Sequence, residues 1–258
     1  MARPVKSPMN RVNVLGVGVD PLTVEELHAE IGRLVRKRQR GLVLNANAHC
    51  LNLCYEDSKL RDFLNGAQIV FCDGAGVMLA ARILGRRIPA RITYADWAWR
   101  LADFAAARNF SLYFLGARPG VAQAAARRLE ERYPDLEIAG VHHGYFDRSE
   151  NEAVVEEINA AAPDILLVGL GMPLQEYWLM DNGHRLDAGV VLTGGAVFDY
   201  VSGRLHRGPR LLITSGFEWL ARLLIEPRRL WRRYLVGNPL FLLRVVRQRL
   251  GARGWEKM

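Results

Sequence analysis

Short runs of apolar, mostly β-branched residues alternate along this chain with longer segments in which apolar positions recur at helical spacing. The runs Val12–Val17, Gly41–Asn45, Ile69–Cys72, Ser111–Leu115, Glu137–His142, Ile165–Gly169 and Val190–Thr193 read as strands. Between them Val24–Arg38, Cys50–Asn65, Gly120–Arg132 and Glu150–Ala162 carry an apolar stripe opposite a charged one and read as helices. This alternation predicts an α/β fold with a Rossmann-like, mostly parallel sheet flanked by helices. After Ser202 no strand pattern recurs; Leu211–Ile225, Arg228–Val236 and Pro239–Leu250 read as helices punctuated by Pro227 and the Asn238-Pro239 pair. The chain therefore divides into an α/β body, residues 1–202, and a helical C-terminal appendage, residues 203–258.

Many of the strands run into Gly, Asn or Asp: Gly16 and Gly18, Asn45 and Asn47, Asp73 to Gly76, Gly116, Gly169 and Gly171, Gly194 and Gly195. In an open parallel sheet the C-terminal strand ends face helix N-termini with free backbone N–H groups, and ligands bind there. Asp73 closes an apolar strand and precedes two glycines and a helix, so its carboxylate belongs on that rim. A carboxylate within reach of a hydroxyl can relay its proton as the oxygen attacks, which makes Asp73 the candidate general base; capping the next helix is the other role its position allows.

Charge sharpens the division. From Gly203 onward thirteen Lys and Arg face three acids, a net +10, which leaves the first 202 residues at −2 on a whole-chain charge of +8. A nearly neutral body with a basic, aromatic-rich tail implies an anionic partner, either phospholipid headgroups or nucleic acid. The tail carries no recognisable nucleic-acid motif, and a nucleic-acid-binding protein would leave the glycine-rich rim unexplained, so that reading is the alternative. No window reaches the roughly 18 uninterrupted apolar residues of a spanning helix. The run Val12–Val19, closed by Asp20 without a cleavage signature, reads as a first strand.

The candidate chemistry is narrowed by what the chain lacks. Cys50, Cys54 and Cys72 have neither zinc-site nor disulfide spacing and are expected as buried thiols in a reducing compartment. Leu15-Gly-Val-Gly-Val-Asp20 and Gly169-Leu-Gly-Met-Pro173 each miss the third glycine of a dinucleotide fingerprint, so no cofactor is expected. His142 and His143 are adjacent, and neither His-Glu-x-x-His nor Asp-x-Asp occurs, so no metal set is expected and protein groups would have to neutralise a bound diphosphate.

Asn47 with Asp73-Gly-Ala-Gly76, Arg91-Ile-Thr-Tyr-Ala-Asp96, Phe114-Leu-Gly116, Gly144-Tyr145, Gly169-Leu-Gly-Met-Pro-x-Gln175-Glu176, Gly194-Gly-Ala-Val-Phe-Asp199 and Glu218-Trp219 occur in this order over nearly the whole chain. The pattern resembles the WecG/TagA/CpsF glycosyltransferases of cell-surface polysaccharide synthesis. The resemblance implies inverting transfer from a UDP-sugar donor onto an undecaprenyl-diphosphate-linked sugar, in exopolysaccharide, teichoic acid linkage or common antigen pathways. It makes Asp73 the base, puts Asn47 beside the sugars and Arg91 near the reaction centre, and has Gln175 touch the donor. Gly144-Tyr145 would stack on the uracil, Asp199 would bind the ribose, and Gly195 belongs to the donor-side loop. Relatives commonly carry threonine where this chain has Asn45, a change of donor capacity and shape that bears on the donor sugar. Arg222, Arg229 and Arg232 align with basic positions of the family's appendage, which is thought to reach over the site at the membrane.

The implied setting is the inner face of the bacterial cell membrane, held peripherally. Trp219, Trp231, Tyr234 and Phe241 suit the headgroup boundary while arginines meet anionic lipid. The apolar residues of the appendage suit a second copy of the chain as well as lipid. Removal of the chain from Leu211 onward is expected to leave the body folded and to abolish transfer.

Overall fold

The computed structural model describes residues 11–147, 149–209, 212–213 and 216–255. The expected strand Val12–Val17 is instead the first half of a hairpin: β1 (Val12–Val14) and β2 (Val17–Val19) pair antiparallel in a sheet of their own. Leu15 and Gly16 both have positive φ, 54° and 86°, the geometry of a tight hairpin turn, and Asn13 Oδ1 accepts the Gly16 N–H at 2.9 Å. An unbroken apolar run conceals that turn because a leucine gives no warning of left-handed backbone.

The chain continues through α1 (Val24–Arg36), β3 (Gly41–Ala46), α2 (Ala48–Glu56), α3 (Ser58–Gly66), β4 (Ile69–Cys72), α4 (Ala75–Ile83), α5 (Tyr94–Ala106) and β5 (Leu112–Gly116). It then forms α6 (Val121–Arg132), β6 (Ile138–His142), α7 (Asn151–Ala161), β7 (Ile165–Gly169), α8 (Leu174–Asn182), β8 (Val190–Thr193) and α9 (Val197–Val201). Six strands make one sheet in the order β4-β3-β8-β7-β5-β6, and the pairings of β3 with β8, β8 with β7, β7 with β5 and β5 with β6 are parallel. The fold is α/β. Every residue of β5, β7 and β8 is buried, which is why these strands read as continuous apolar runs rather than alternating ones.

The expected helix Cys50–Asn65 is two helices, because Asp57 ends α2 in extended backbone and its carboxylate accepts the N–H groups of Lys59 and Leu60 at the start of α3. In the C-terminal region α10 (Glu218–Ile225) and α11 (Pro227–Trp231) lead through a π-helical turn, Arg232–Val236, into α12 (Gly237–Trp255). Leu211, Thr214 and Ser215, where the sequence predicts the first of these helices, lie outside the described residues. Pro227 opens α11 as expected, whereas Asn238-Pro239 does not interrupt α12. Pro239 stands third in α12, directly after the π turn.

The chain forms two compact units. One comprises Met1–Thr23, Asn45–Ile92 and Arg207–Met258, the other Val24–Leu44 and Thr93–His206. In the first, α12 packs on α2 and α4, with Phe241 and Val245 buried. Arg244 donates to the Asn52 carbonyl at 3.2 Å and to its Oδ1 at 3.0 Å, and lies 4.4 Å from the centre of the Tyr55 ring. Leu223, Leu230 and Tyr234 form a small core against which Trp219 packs. Of the expected headgroup aromatics, Tyr234 and Phe241 are thus interior groups and Trp219 is partly buried, since short helices need a core of their own; Trp231 remains exposed. In the second unit, α5 and α6 pack on α9. A Cβ at Gly116 would stand 2.4 Å from the Gly169 carbonyl, so the ends of β5 and β7 need this glycine to run side by side.

Candidate active site

In the first unit the ends of β3 and β4 assemble a carboxylate and two amides. Asp73 N–H donates to the Ala46 carbonyl at 2.8 Å, which extends the ladder one residue past β4 and fixes the backbone under the carboxylate. Gly74, at φ 109°, then turns the chain into α4. Asn45 Nδ2 donates to Asp73 Oδ2 at 2.9 Å. Asn47 caps α2 by accepting the Cys50 N–H at 3.0 Å, and its side chain also hydrogen-bonds Asp73.

Burial pushes the Asp73 carboxyl up to about 6; the Asn45 hydrogen bond opposes that, the Glu218 charge adds to it, and Arg233 and Asn47 oppose it again. The neighbouring Cys72 thiol rises to about 12, chiefly through burial and then through Asp73, so it is no nucleophile. All three cysteines are free and buried, as the sequence predicts.

Arg91 reaches this region because Ile92 N–H donates to the Cys72 carbonyl at 2.9 Å. Its Nη2 donates to the Ile213 carbonyl at 3.2 Å, and its Nη1 lies 3.9 Å from Glu218 Oε2. Glu218 also takes Arg207, at 3.2 Å through Oε1 and 3.4 Å through Oε2. Arg222 and Arg229 both pair with Glu226, at 3.3 and 2.9 Å.

Arg232 and Arg233 part company in the π turn. The Arg232 guanidinium lies 5.2 Å from the Trp231 ring on an exposed residue, whereas Arg233 Nε is buried without a hydrogen-bond partner among the described residues. Arg233 acts electrostatically on Asp73 and on His49, whose imidazole burial and then Arg233 hold down at about 4. Sequence reasoning singled out Arg232; the doublet gives no sign of which member turns inward, and the other missed groups are His49 and the anchoring role of Glu218.

In the second unit Gln175 and Glu176 open α8 and are each 1% exposed. Gln175 Oε1 accepts the Gly195 N–H at 3.0 Å, while its Nε2 donates to Glu176 Oε1 at 2.8 Å. Glu176 Oε2 is buried and has no partner among the described residues. Burial pushes the Glu176 carboxyl up to about 7, against the Gln175 hydrogen bond and one from its own backbone.

Because that value lies above the ordinary carboxylate one, ionisation costs stability: the cost is absent below about 4.5 and complete above about 7. Glu176→Gln is expected to gain about 3 kcal/mol at pH 8 and almost nothing at pH 4. Thermal melts at the two pH values check this.

Asp199, in the first turn of α9, accepts from Arg204 Nη1 at 2.5 Å. Gly144 N–H donates to the Ala117 carbonyl at 2.8 Å, and a Cβ there would strike Leu170 at 2.7 Å; Tyr145 beside it is 65% exposed, a ring free to stack. The structure thus gathers Asn45, Asn47, Asp73 and Arg91 in one unit, and joins Gln175 to Gly195 in the other. Among the described residues no group of three or more His, Cys, Asp or Glu could hold a metal ion.

The family profile described as "Glycosyl transferase WecG/TagA/CpsF family" matches residues 12–254. Two Staphylococcus aureus proteins, from strains NCTC 8325 / PS 47 and COL, are each 28% identical to this chain over 244 residues, 94% of either length. Both are named N-acetylglucosaminyldiphosphoundecaprenol N-acetyl-beta-D-mannosaminyltransferase.

Proposed function

Because this chain belongs to the WecG/TagA/CpsF family of glycosyltransferases, we propose that it moves N-acetylmannosamine from its UDP conjugate onto an N-acetylglucosamine carried by undecaprenyl diphosphate. Two relatives carry the transferred sugar and the lipid-linked acceptor in their names. The observation that carries the mechanism is the Asp73 carboxylate, held by two asparagine amides at the ends of β3 and β4.

In the reaction the acceptor hydroxyl oxygen attacks the anomeric carbon of the donor sugar. Its proton passes to Asp73, and the bond from that carbon to the β-phosphate oxygen breaks with its electron pair left on UDP. One displacement inverts the anomeric centre. A base near pH 6 is ionised at neutral pH yet basic enough to take a hydroxyl proton late in attack.

Charge on the departing diphosphate falls to guanidinium groups. Arg233, whose Nε is buried without a partner among the described residues, acts on Asp73, and Arg222 and Arg229, which share the carboxylate of Glu226, act in turn on Arg233. The chain's lack of an Asp-x-Asp pair accords with transfer that proceeds without a divalent ion. On the donor side Gln175, Gly195, Asp199, Gly144 and Tyr145 keep the roles the family resemblance gives them. Asn45 keeps its place beside the donor sugar.

The acceptor is a lipid, and among the described residues no helix is long and apolar enough to cross a membrane. We assign membrane contact to the exposed apolar residues Leu224, Trp231, Leu235 and Val236 together with Arg228 and Arg232. Trp231→Ser combined with Leu235→Ser is expected to cut binding to phosphatidylglycerol vesicles at least tenfold in a sedimentation assay, with the melting temperature unchanged.

The donor is tested by UDP release from a panel of UDP-sugars, in EDTA, with a short-chain lipid-diphosphate N-acetylglucosamine as acceptor. UDP-N-acetylmannosamine is expected to turn over fastest. Turnover restricted to a different UDP-sugar would reassign the donor, and activity that appears only with added magnesium would remove the arginines from the metal's role.

A further inference from the structure

Glu176 is a buried acid that the mechanism above does not use. Its residue is 1% exposed, yet it sits next in sequence to Gln175 and shares its hydrogen-bond chain. A glutamine amide has two ends of nearly equal shape and opposite hydrogen-bonding sense, an accepting oxygen and a donating nitrogen, so its partners decide which end faces where. The Gly195 N–H can only donate and takes the Gln175 oxygen at 3.0 Å, while Glu176 Oε1 accepts from the Gln175 nitrogen at 2.8 Å, so the acid holds the second end of the amide and keeps it from turning away from the loop.

The consequence travels along the backbone. Gly195 lies in the loop from β8 to α9 at φ 55°, and α9 begins two residues later at Val197 and carries Asp199. A side-chain oxygen on α8 therefore holds the loop through the Gly195 N–H, and Glu176 braces the same amide from its other end. Solvation does not explain the acid, since Oε2 is enclosed without a partner and the group carries a desolvation cost. A cost of this kind, kept in the first turn of α8 beside the glutamine that holds the loop leading to Asp199, belongs to function rather than to stability.

The geometry points to Glu176 as a positioning residue for the donor nucleotide: by fixing the Gln175 amide it holds the Gly194–Ala196 loop in the conformation that presents Asp199. It does not touch the substrate. The inference rests on the reading of the chain as a UDP-sugar transferase and adds to it a residue whose removal weakens donor binding while the chemical step persists.

The test compares wild type with Glu176→Gln, Glu176→Ala, Gln175→Ala and the Gln175→Ala/Glu176→Ala pair. Each is measured for UDP affinity by calorimetry, for donor KM and kcat, and for thermal melting. Glu176→Ala is expected to raise the UDP Kd and the donor KM about tenfold with kcat within about threefold of wild type, the signature of lost binding rather than lost chemistry. Glu176→Gln keeps the carbonyl acceptor and the volume, and is expected to bind UDP within about threefold of wild type. The pair is expected to bind no worse than Gln175→Ala alone, because Glu176 acts through Gln175.

Wild-type UDP affinity in Glu176→Ala would overturn the inference, as would losses that simply add in the pair. Should the alanine variants fail to fold, Glu176→Leu, which keeps the volume and offers no acceptor, takes their place: a tenfold loss of UDP affinity would support the inference and wild-type affinity would overturn it. Failure of the wild-type protein to bind UDP would instead refute the nucleotide-sugar reading, and this inference with it.

Discussion

Asp73→Asn is expected to lower turnover by about a hundredfold to ten-thousandfold and, at the same time, to raise the melting temperature. The two effects share one origin. Burial lifts the carboxyl from 3.8 to about 6, so keeping it ionised at neutral pH costs the folded state about 2 kcal/mol once its partial exposure is allowed for. The sign follows from a folded value above the ordinary one: the cost is absent below about 3.8 and complete above about 6. An asparagine carries no charge and still offers Asn45 an oxygen to donate to, so the stabilisation should be clear at pH 8 and vanish at pH 3.5. In wild type the acid limb of kcat/KM should fall near pH 6. Glu218→Gln should move that limb to lower pH, because the Glu218 charge is one of the forces that lift Asp73. Melts and pH profiles of the three proteins check the set.

Phe241→Ala is expected to destabilise the chain by about 3 to 5 kcal/mol, the cost of emptying a closed aromatic site. Phe241 is 1% exposed on α12, Val245 beside it is fully buried, and α12 packs on α2, the helix that Asn47 caps. For the same reason a chain cut before Leu211 should not keep its first unit intact, contrary to what the sequence suggests. A basic tail with scattered aromatics looks detachable; in the structure its helices supply core to the unit that holds Asp73. Chemical denaturation of Phe241→Ala gives the magnitude, and a midpoint equal to wild type would show that α12 contributes no core.

The legible parts of this protein are those where burial is uniform and chain breaks are chemical. Strands β4, β7 and β8 have the bounds that the sequence predicts, because unbroken apolar runs stop at Asp73, Gly169 and Gly194. The hydrogen bond between Asn45 and Asp73 was foreshadowed by their positions at the ends of two strands, although spacing alone does not say that the strands are neighbours. What stayed hidden depends on single dihedrals and on depth. Leu15 in left-handed backbone splits the first run, and one π turn decides that Arg233 rather than Arg232 turns toward Asp73. Glu176, an acid in the first turn of a helix, carries no sign in the sequence of the burial that the packing around α8 imposes.

The most direct test of the account is the anomeric configuration of the product. Purified protein would be given α-linked UDP-N-acetylmannosamine and a short-chain lipid-diphosphate N-acetylglucosamine, and the new linkage would be read by NMR. A single displacement with Asp73 as base predicts a β-linked disaccharide, formed by wild type and lost in Asp73→Asn while UDP still binds. An α-linked product, or a β-linked product formed as fast by Asp73→Asn, would contradict it.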